Sequence, residues 1–100
     1  MAALAFIPSH PGQILREVVL DDSDVTKIEL AGRLRLSRQA LHNILTEKAR
    51  VSPEVAIRLG RLLETTPQLW LNLQTNHDIA ILENEMMDEI SGMEPLRAAV

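Results

Sequence analysis

The stretch Lys27–Ile44, KIELAGRLRLSRQALHNI, decides how this chain reads. In it and just past it, apolar residues stand at Ile28, Leu30, Ala31, Leu34, Leu36, Leu41, Ile44 and Leu45, spaced as on helix faces. Two short helical patterns meet at a tight turn, and Ser37-Arg38-Gln39 opens the second. Ala31 falls where the two helices cross most closely, so a small side chain is needed. Leu36 falls in the turn, where it would plug the angle between them. This is the layout of a helix-turn-helix, whose second helix lies in the major groove of DNA. Sequence-specific DNA binding is therefore the first expectation.

Working outward, the start signals of further helices are plain. His10-Pro11-Gly12 begins a helix with proline at its first position, where a missing N–H costs nothing. Ile14, Leu15, Val18 and Val19 then form one apolar stripe, and Asp21-Asp22-Ser23-Asp24 reads as a loop. Thr26-Lys27-Ile28-Glu29 has the form of a capping box. The third helix, capped by Ser37, is expected to run to about Glu47. Ser52-Pro53-Glu54 starts a fourth that turns Val55, Ala56, Leu59, Leu62 and Leu63 inward, and Thr66-Pro67 starts a long fifth that runs towards Ile90. Ser91-Gly92 ends it. No stretch alternates with a period of two over a strand length, the short Phe6-Ile7 before Pro8 excepted. The expectation is an all-α, five-helix domain over residues 11–90. Its helix-turn-helix spans about 26–47 and its long C-terminal helix about 67–90, with an irregular arm over 1–10 and a flexible tail over 91–100.

One hundred residues suffice for one domain with a modest core. The absence of cysteine excludes disulfides and thiolate metal sites and fits a reducing cytoplasm. The N-terminus lacks the basic region of a signal peptide, and no run approaches the roughly 20 apolar residues of a membrane span. The net charge of −4 looks wrong for a DNA binder, but its distribution is not. Residues 26–62 hold eight basic residues against three acids, whereas residues 1–25 hold one against four and residues 63–100 one against seven. Positive charge thus coincides with the motif, where phosphates would lie.

The third helix is the expected reader. Ala40, Leu41, Ile44 and Leu45 face inward, leaving Arg38, Gln39, His42 and Asn43 outward. Arginine grips a guanine edge by two bonds, and glutamine or asparagine does the same with adenine. Around it, Thr26, Lys27, Ser37, Thr46, Lys48 and Arg50 are candidate phosphate contacts, which position a reader without specifying sequence. An enzyme is hard to build here. His10, His42 and His77 share no ligand spacing, no glycine-rich phosphate loop exists, and Glu83, Glu85, Asp88 and Glu89 read as a solvated face. No metal, cofactor or catalytic residue is expected, and His10 reads as a cap. The fifth helix is apolar over an unusually wide arc, with Leu69, Leu73, Ile79, Leu82, Met86 and Ile90 at three- and four-residue steps. A homodimer through Leu73, Ile79, Leu82 and Met86 would use that surface and place two reading helices one DNA turn apart.

Taken together, several motifs resemble the HigA (VapI-like) antitoxins of the λ-repressor-like XRE group. The chain opens on His10-Pro11-Gly12 with Ile14-Leu15-Arg16-Glu17, and continues through Glu29-Leu30-Ala31, Leu36-Ser37-Arg38 and Val51-Ser52-Pro53. Ala56, Arg58 and Leu59 follow, and Thr66-Pro67 with Trp70-Leu71-Asn72-Leu73-Gln74 closes the match, which covers roughly residues 9–80. The resemblance implies a helical, dimeric repressor of its own operon that neutralises a small basic mRNA endonuclease of the HigB (RelE-like) type. The alternative is a stand-alone XRE regulator without a toxin. Where the family's turn carries glycine, this chain has Arg35. A left-handed residue other than glycine costs about 1 kcal/mol, so either the turn differs slightly or Arg35 compensates by reaching a phosphate. Where the family's second helix often opens with Thr-Gln, this chain has Thr26-Lys27, so no glutamine contact carries over.

Overall fold

Residues 7–97 are described by a computed structural model. Residues 1–6 and 98–100 lie outside it, and with them most of the expected arm and the end of the expected tail. Among the described residues the chain forms six helices and no strand. The first, α1, is α-helical over Pro11–Ile14 and continues as a π turn over Leu15–Leu20. Then come α2 (Lys27–Leu34), α3 (Arg38–Leu45), α4 (Pro53–Leu63), α5 (Pro67–Glu85) and α6 (Met87–Ser91).

The start signals work as the side chains dictate. Thr26, Ser37, Ser52 and Thr66 each accept a hydrogen bond from the backbone N–H three residues on, filling one of the orphan donors of a first turn. His10 does the same for α1, its Nδ1 accepting from the N–H of Gly12 at 2.8 Å. The expected capping box is half formed: Thr26 caps, but Glu29 accepts from Arg33 at 3.5 Å.

Leu15, Leu30, Ala31, Leu34, Leu41, Ile44, Leu45, Val51, Val55, Ala56, Leu59 and Trp70 form one core. Leu36 packs against its edge, the plug its place in the turn predicts. Gly12 lets α1 touch α3, since a Cβ there would overlap the Ile44 carbonyl oxygen. Gly60 likewise admits the backbone of Thr65 beside α4.

Five expectations need correction. The α1 stripe is broken: Leu15 is buried but Val18 is 57% exposed. The π turn, with Asp21 N–H donating to Arg16 O at 2.9 Å, rotates later side chains off the α-helical register. Ile28 is 60% exposed, because it sits on the outer side of α2. Helix α3 ends at Leu45 rather than Glu47, which adopts φ 64°, a left-handed stop that the sequence does not advertise with glycine. The fifth helix does not run unbroken to Ile90: it breaks at Met86 (φ −98°, ψ 8°) and resumes as α6. Leu73, expected at a dimer face, packs against the core instead.

Candidate nucleic-acid interface

Helix α3 is held against the core by Leu41, Ile44 and Leu45, which fixes what its other face presents. Arg38, Gln39 and His42 are exposed and Asn43 is partly so. Gln39 and Asn43, one turn apart, are linked by a 2.9 Å hydrogen bond from Nε2 to Oδ1. Two amides held side by side in this way are prepositioned to bridge adjacent base edges. Lys27, Ile28, Arg38 and His42 surround a notch of about 240 Å³ floored by Leu41 and Leu45. The start of α2 and the start of α3 therefore share one cationic surface. Like charges so placed favour an anion between them, and the free N–H groups of both first turns add to that.

The turn between them carries the predicted left-handed residue. Arg35 has φ 57° and ψ 41°, and its N–H closes α2 on Ala31 and Gly32 carbonyls. Its side chain, however, lines a second groove with Arg33, Arg58 and Arg61, not the notch beside α3. The other expected phosphate contacts divide. Thr26 and Ser37 sit exposed at helix starts, their hydroxyls accepting from the first turns. Lys48 is exposed just after α3. Thr46 spends its hydroxyl proton on the His42 carbonyl at 2.8 Å. Arg50 is drawn to α5, its Nε 2.7 Å from Asp78 Oδ2.

Two positioning groups stood in the matched motifs with no role assigned to them. Arg16 donates from Nη1 to the Leu45 carbonyl and pairs with Glu47 at 3.2 Å, which pins the end of α3 to α1. Their separation of about thirty residues leaves no local signal. The second is Gln74, buried on α5, whose Oε1 accepts from the Val51 N–H at 2.8 Å while its Nε2 donates to Asp78 at 3.1 Å. Asp78 in turn holds Arg50, so one chain of bonds fastens the α3–α4 connection to α5. His10 lies nearby, its ring edge-on to His77 at 5.1 Å. Burial holds its pKa below the ordinary 6.5, and the His77 ring adds to this against opposing pulls from Glu47, Asp78 and the Ala49 backbone. His77 donates from Nδ1 to the Pro8 carbonyl at 2.7 Å, tying the segment before α1 to α5. The histidines thus act as cap and clasp, and no cluster among the described residues could hold a metal ion. No helix among them is long and apolar enough to cross a membrane.

No family model matches the chain. It is 36% identical over 77 residues to an uncharacterised HTH-type transcriptional regulator of Haemophilus influenzae, spanning 77% of this chain and 72% of the relative. Among solved structures it is similar to the antitoxin HigA of Pseudomonas aeruginosa with the higBA promoter, at 37% identity and TM-score 0.83, covering 89% of this chain and 98% of that one. It is similar also to the antitoxin GraA in complex with its operator, at 39% identity and TM-score 0.85, covering 94% and 96%.

Proposed function

We propose, for a chain that belongs to the helix-turn-helix regulators that include the HigA antitoxins, that it is a homodimeric antitoxin that represses its own operon. The observation that carries the reading is the exposed α3 face, with Arg38 beside the joined Gln39 and Asn43, on a fold otherwise seen bound to operators. Arg38, Gln39 and Asn43 read bases. Lys27, His42 and Lys48 flank them, with the first-turn N–H groups of α2 and α3 turned to phosphate. Arg50, though exposed, is held by Asp78 as a strap to α5. The dimer forms through the distal part of α5 and the break that follows it, where Ile79 and Leu82 are 47% and 48% exposed and Met86 is exposed too. A wholly solvated helix has no use for such residues, and two copies pairing there would set their reading helices apart by a fixed distance.

The protein neutralised is a basic mRNA endonuclease of the HigB type, and the acidic segments on either side of the motif would speed the encounter. All of this takes place in the cytoplasm and requires no cofactor and no chemistry by the chain itself. The test is growth rescue with the product of the adjacent small reading frame. Growth arrest by that product alone, reversed by this protein with co-purification, supports the antitoxin role. A harmless or unbound neighbour sinks it and leaves a stand-alone repressor. The DNA surface is tested separately. Arg38→Ala with Gln39→Ala should abolish preference for the operator over random duplex while helical content stays unchanged, and retained preference would move the reading surface elsewhere.

A further inference from the structure

The chain carries two surfaces of opposite charge and matching apolarity. The first is a groove of about 320 Å³ between the end of α2 and the outer side of α4. Arg33, Arg35, Arg58 and Arg61 line it around Ile57 and Leu62. Ile57 is 59% exposed, so the floor is open. Arg58 reaches the Leu34 carbonyl at 3.5 Å, and among the described residues the one ion pair within the set is Arg33–Glu29, also at 3.5 Å and between exposed side chains. Such pairs are worth little in water. Four guanidiniums therefore crowd a site that holds almost no counter-charge, an arrangement that favours an anionic occupant.

The second surface is the distal segment, in which every residue from 82 to 97 is exposed. It carries Glu83, Glu85, Asp88, Glu89 and Glu94 against Arg97 alone. Interleaved are Met86, Met87, Ile90, Met93 and Leu96, all exposed. Helix α6 has five residues and no side-chain cap at its start. It continues from α5 through the bonds of Met86 N–H to Leu82 and Ile90 N–H to Met86, and its own few bonds leave it marginal in water. It gains stability by laying its apolar residues on something.

We propose that the segment Met87–Leu96 of one copy docks in the arginine groove of a second copy. Ile90 and Met93 would cover Ile57 and Leu62, and Asp88, Glu89 and Glu94 would meet the arginines. A nucleic-acid backbone would satisfy the guanidiniums but leave the isoleucine floor bare, whereas an acidic apolar segment satisfies both. The groove shares no residue with the notch beside α3, so the contact and the reading surface are compatible. It also differs from the distal α5 pairing, because it joins unlike surfaces and each copy offers one of each.

The chain has no cysteine, so a single introduced thiol is unique. Ile57→Cys protein and affinity-tagged Ile90→Cys protein are mixed without DNA under mild oxidation, and the mixed disulfide is measured against a Val18→Cys control in place of Ile57→Cys. The expected result is a mixed disulfide well above the control. It should be lost when Arg58→Glu and Arg61→Glu are added to the groove copy, and restored when Asp88→Arg and Glu89→Arg are added to the tail copy. These positions are exposed or partly so, and thermal unfolding of each variant checks that it folds. A yield equal to the control overturns the proposal. Cross-linking indifferent to the charge reversals overturns it too. So does an Arg58→Glu, Arg61→Glu protein that loses affinity for random duplex DNA while its cross-linking stays intact, since that result assigns the groove to nucleic acid. None of these readouts depends on operator recognition or on a toxin.

Discussion

The two halves of α5 share a helix but not an environment. In the proximal half, Trp70 is 3% exposed and donates its indole N–H to Thr65 Oγ1 at 2.7 Å, while Gln74 is 1% exposed and has both ends of its amide bonded. In the distal half, Ile79 and Leu82 stand nearly half exposed, and from residue 82 onward every described residue is exposed. The molecule is 52 Å long against 28 and 21 Å in the other directions. A 19-residue helix spans about 28 Å, more than the body needs to cover its core. The same apolar composition therefore does two jobs. Near the body it closes the core and orders the α3–α4 connection, and beyond the body it stays exposed. Apolar residues all round a helix do not say where the body ends.

That division can be broken by substitutions that ought to respect it. The largest effect belongs to Trp70→Ala, which empties a buried aromatic site and should cost about 3–5 kcal/mol of folding stability. A urea transition left in place would mean that the proximal half is not part of the core. Gln74→Leu follows. It leaves the Val51 N–H buried without a partner and removes the bond to Asp78 Oδ1, for a loss of about 1–3 kcal/mol. Amide exchange at Val51 should quicken in the same variant, and unchanged protection there would deny the strap. A smaller effect is tied to pH. His10 has a folded pKa below its unfolded value near 6.5, so the unfolded chain takes up the proton first. The stability it contributes is complete above pH 6.5 and is lost as pH falls through the lower folded value. One proton sets the ceiling at about 1.4 kcal/mol per pH unit. His10→Asn keeps a capping oxygen for Gly12, and urea midpoints from pH 7 down to 5 should slope less in it than in the parent. Parallel curves would show that His10 does not carry the dependence. The smallest effect on folding is expected from Leu82→Asp, within about 0.5 kcal/mol for the monomer. Sedimentation should nevertheless find it monomeric, and the parent dimeric as the proposed pairing requires. A dimer of undiminished strength would move the pairing surface off distal α5.

Much of the body was legible because it rests on local chemistry. A Thr or Ser followed by a helix-compatible turn caps a helix whatever surrounds it, and all four such caps lie where the residue types put them. The inward face of α3 follows from spacing, and once that face is fixed, Arg38, Gln39 and His42 can only point out. The left-handed turn at Arg35 was flagged by the resemblance to a family whose turn carries glycine where this chain has arginine. Other features had no such signature. Glu47 takes φ 64° because the chain must double back after α3 while Arg16 holds the Leu45 carbonyl, a contact 29 residues distant in sequence. The π turn in α1 and the break at Met86 are changes of register that a three- and four-residue spacing tolerates without comment.

The sequence by itself determined an all-helical chain, the order of its main helices, their starting points and the side chains offered on α3. Each of these depends on hydrogen bonds and apolar spacing within a few residues. The tertiary structure alone decided which cations share a surface. It grouped Lys27 with Arg38, sent Arg35 to a groove with Arg33, Arg58 and Arg61, and drew Arg50 to Asp78. It also decided that Leu73 belongs to the core while Ile79 and Leu82 do not. Charges and wide apolar faces are undirected along a sequence, and only the packing of distant helices gives them neighbours.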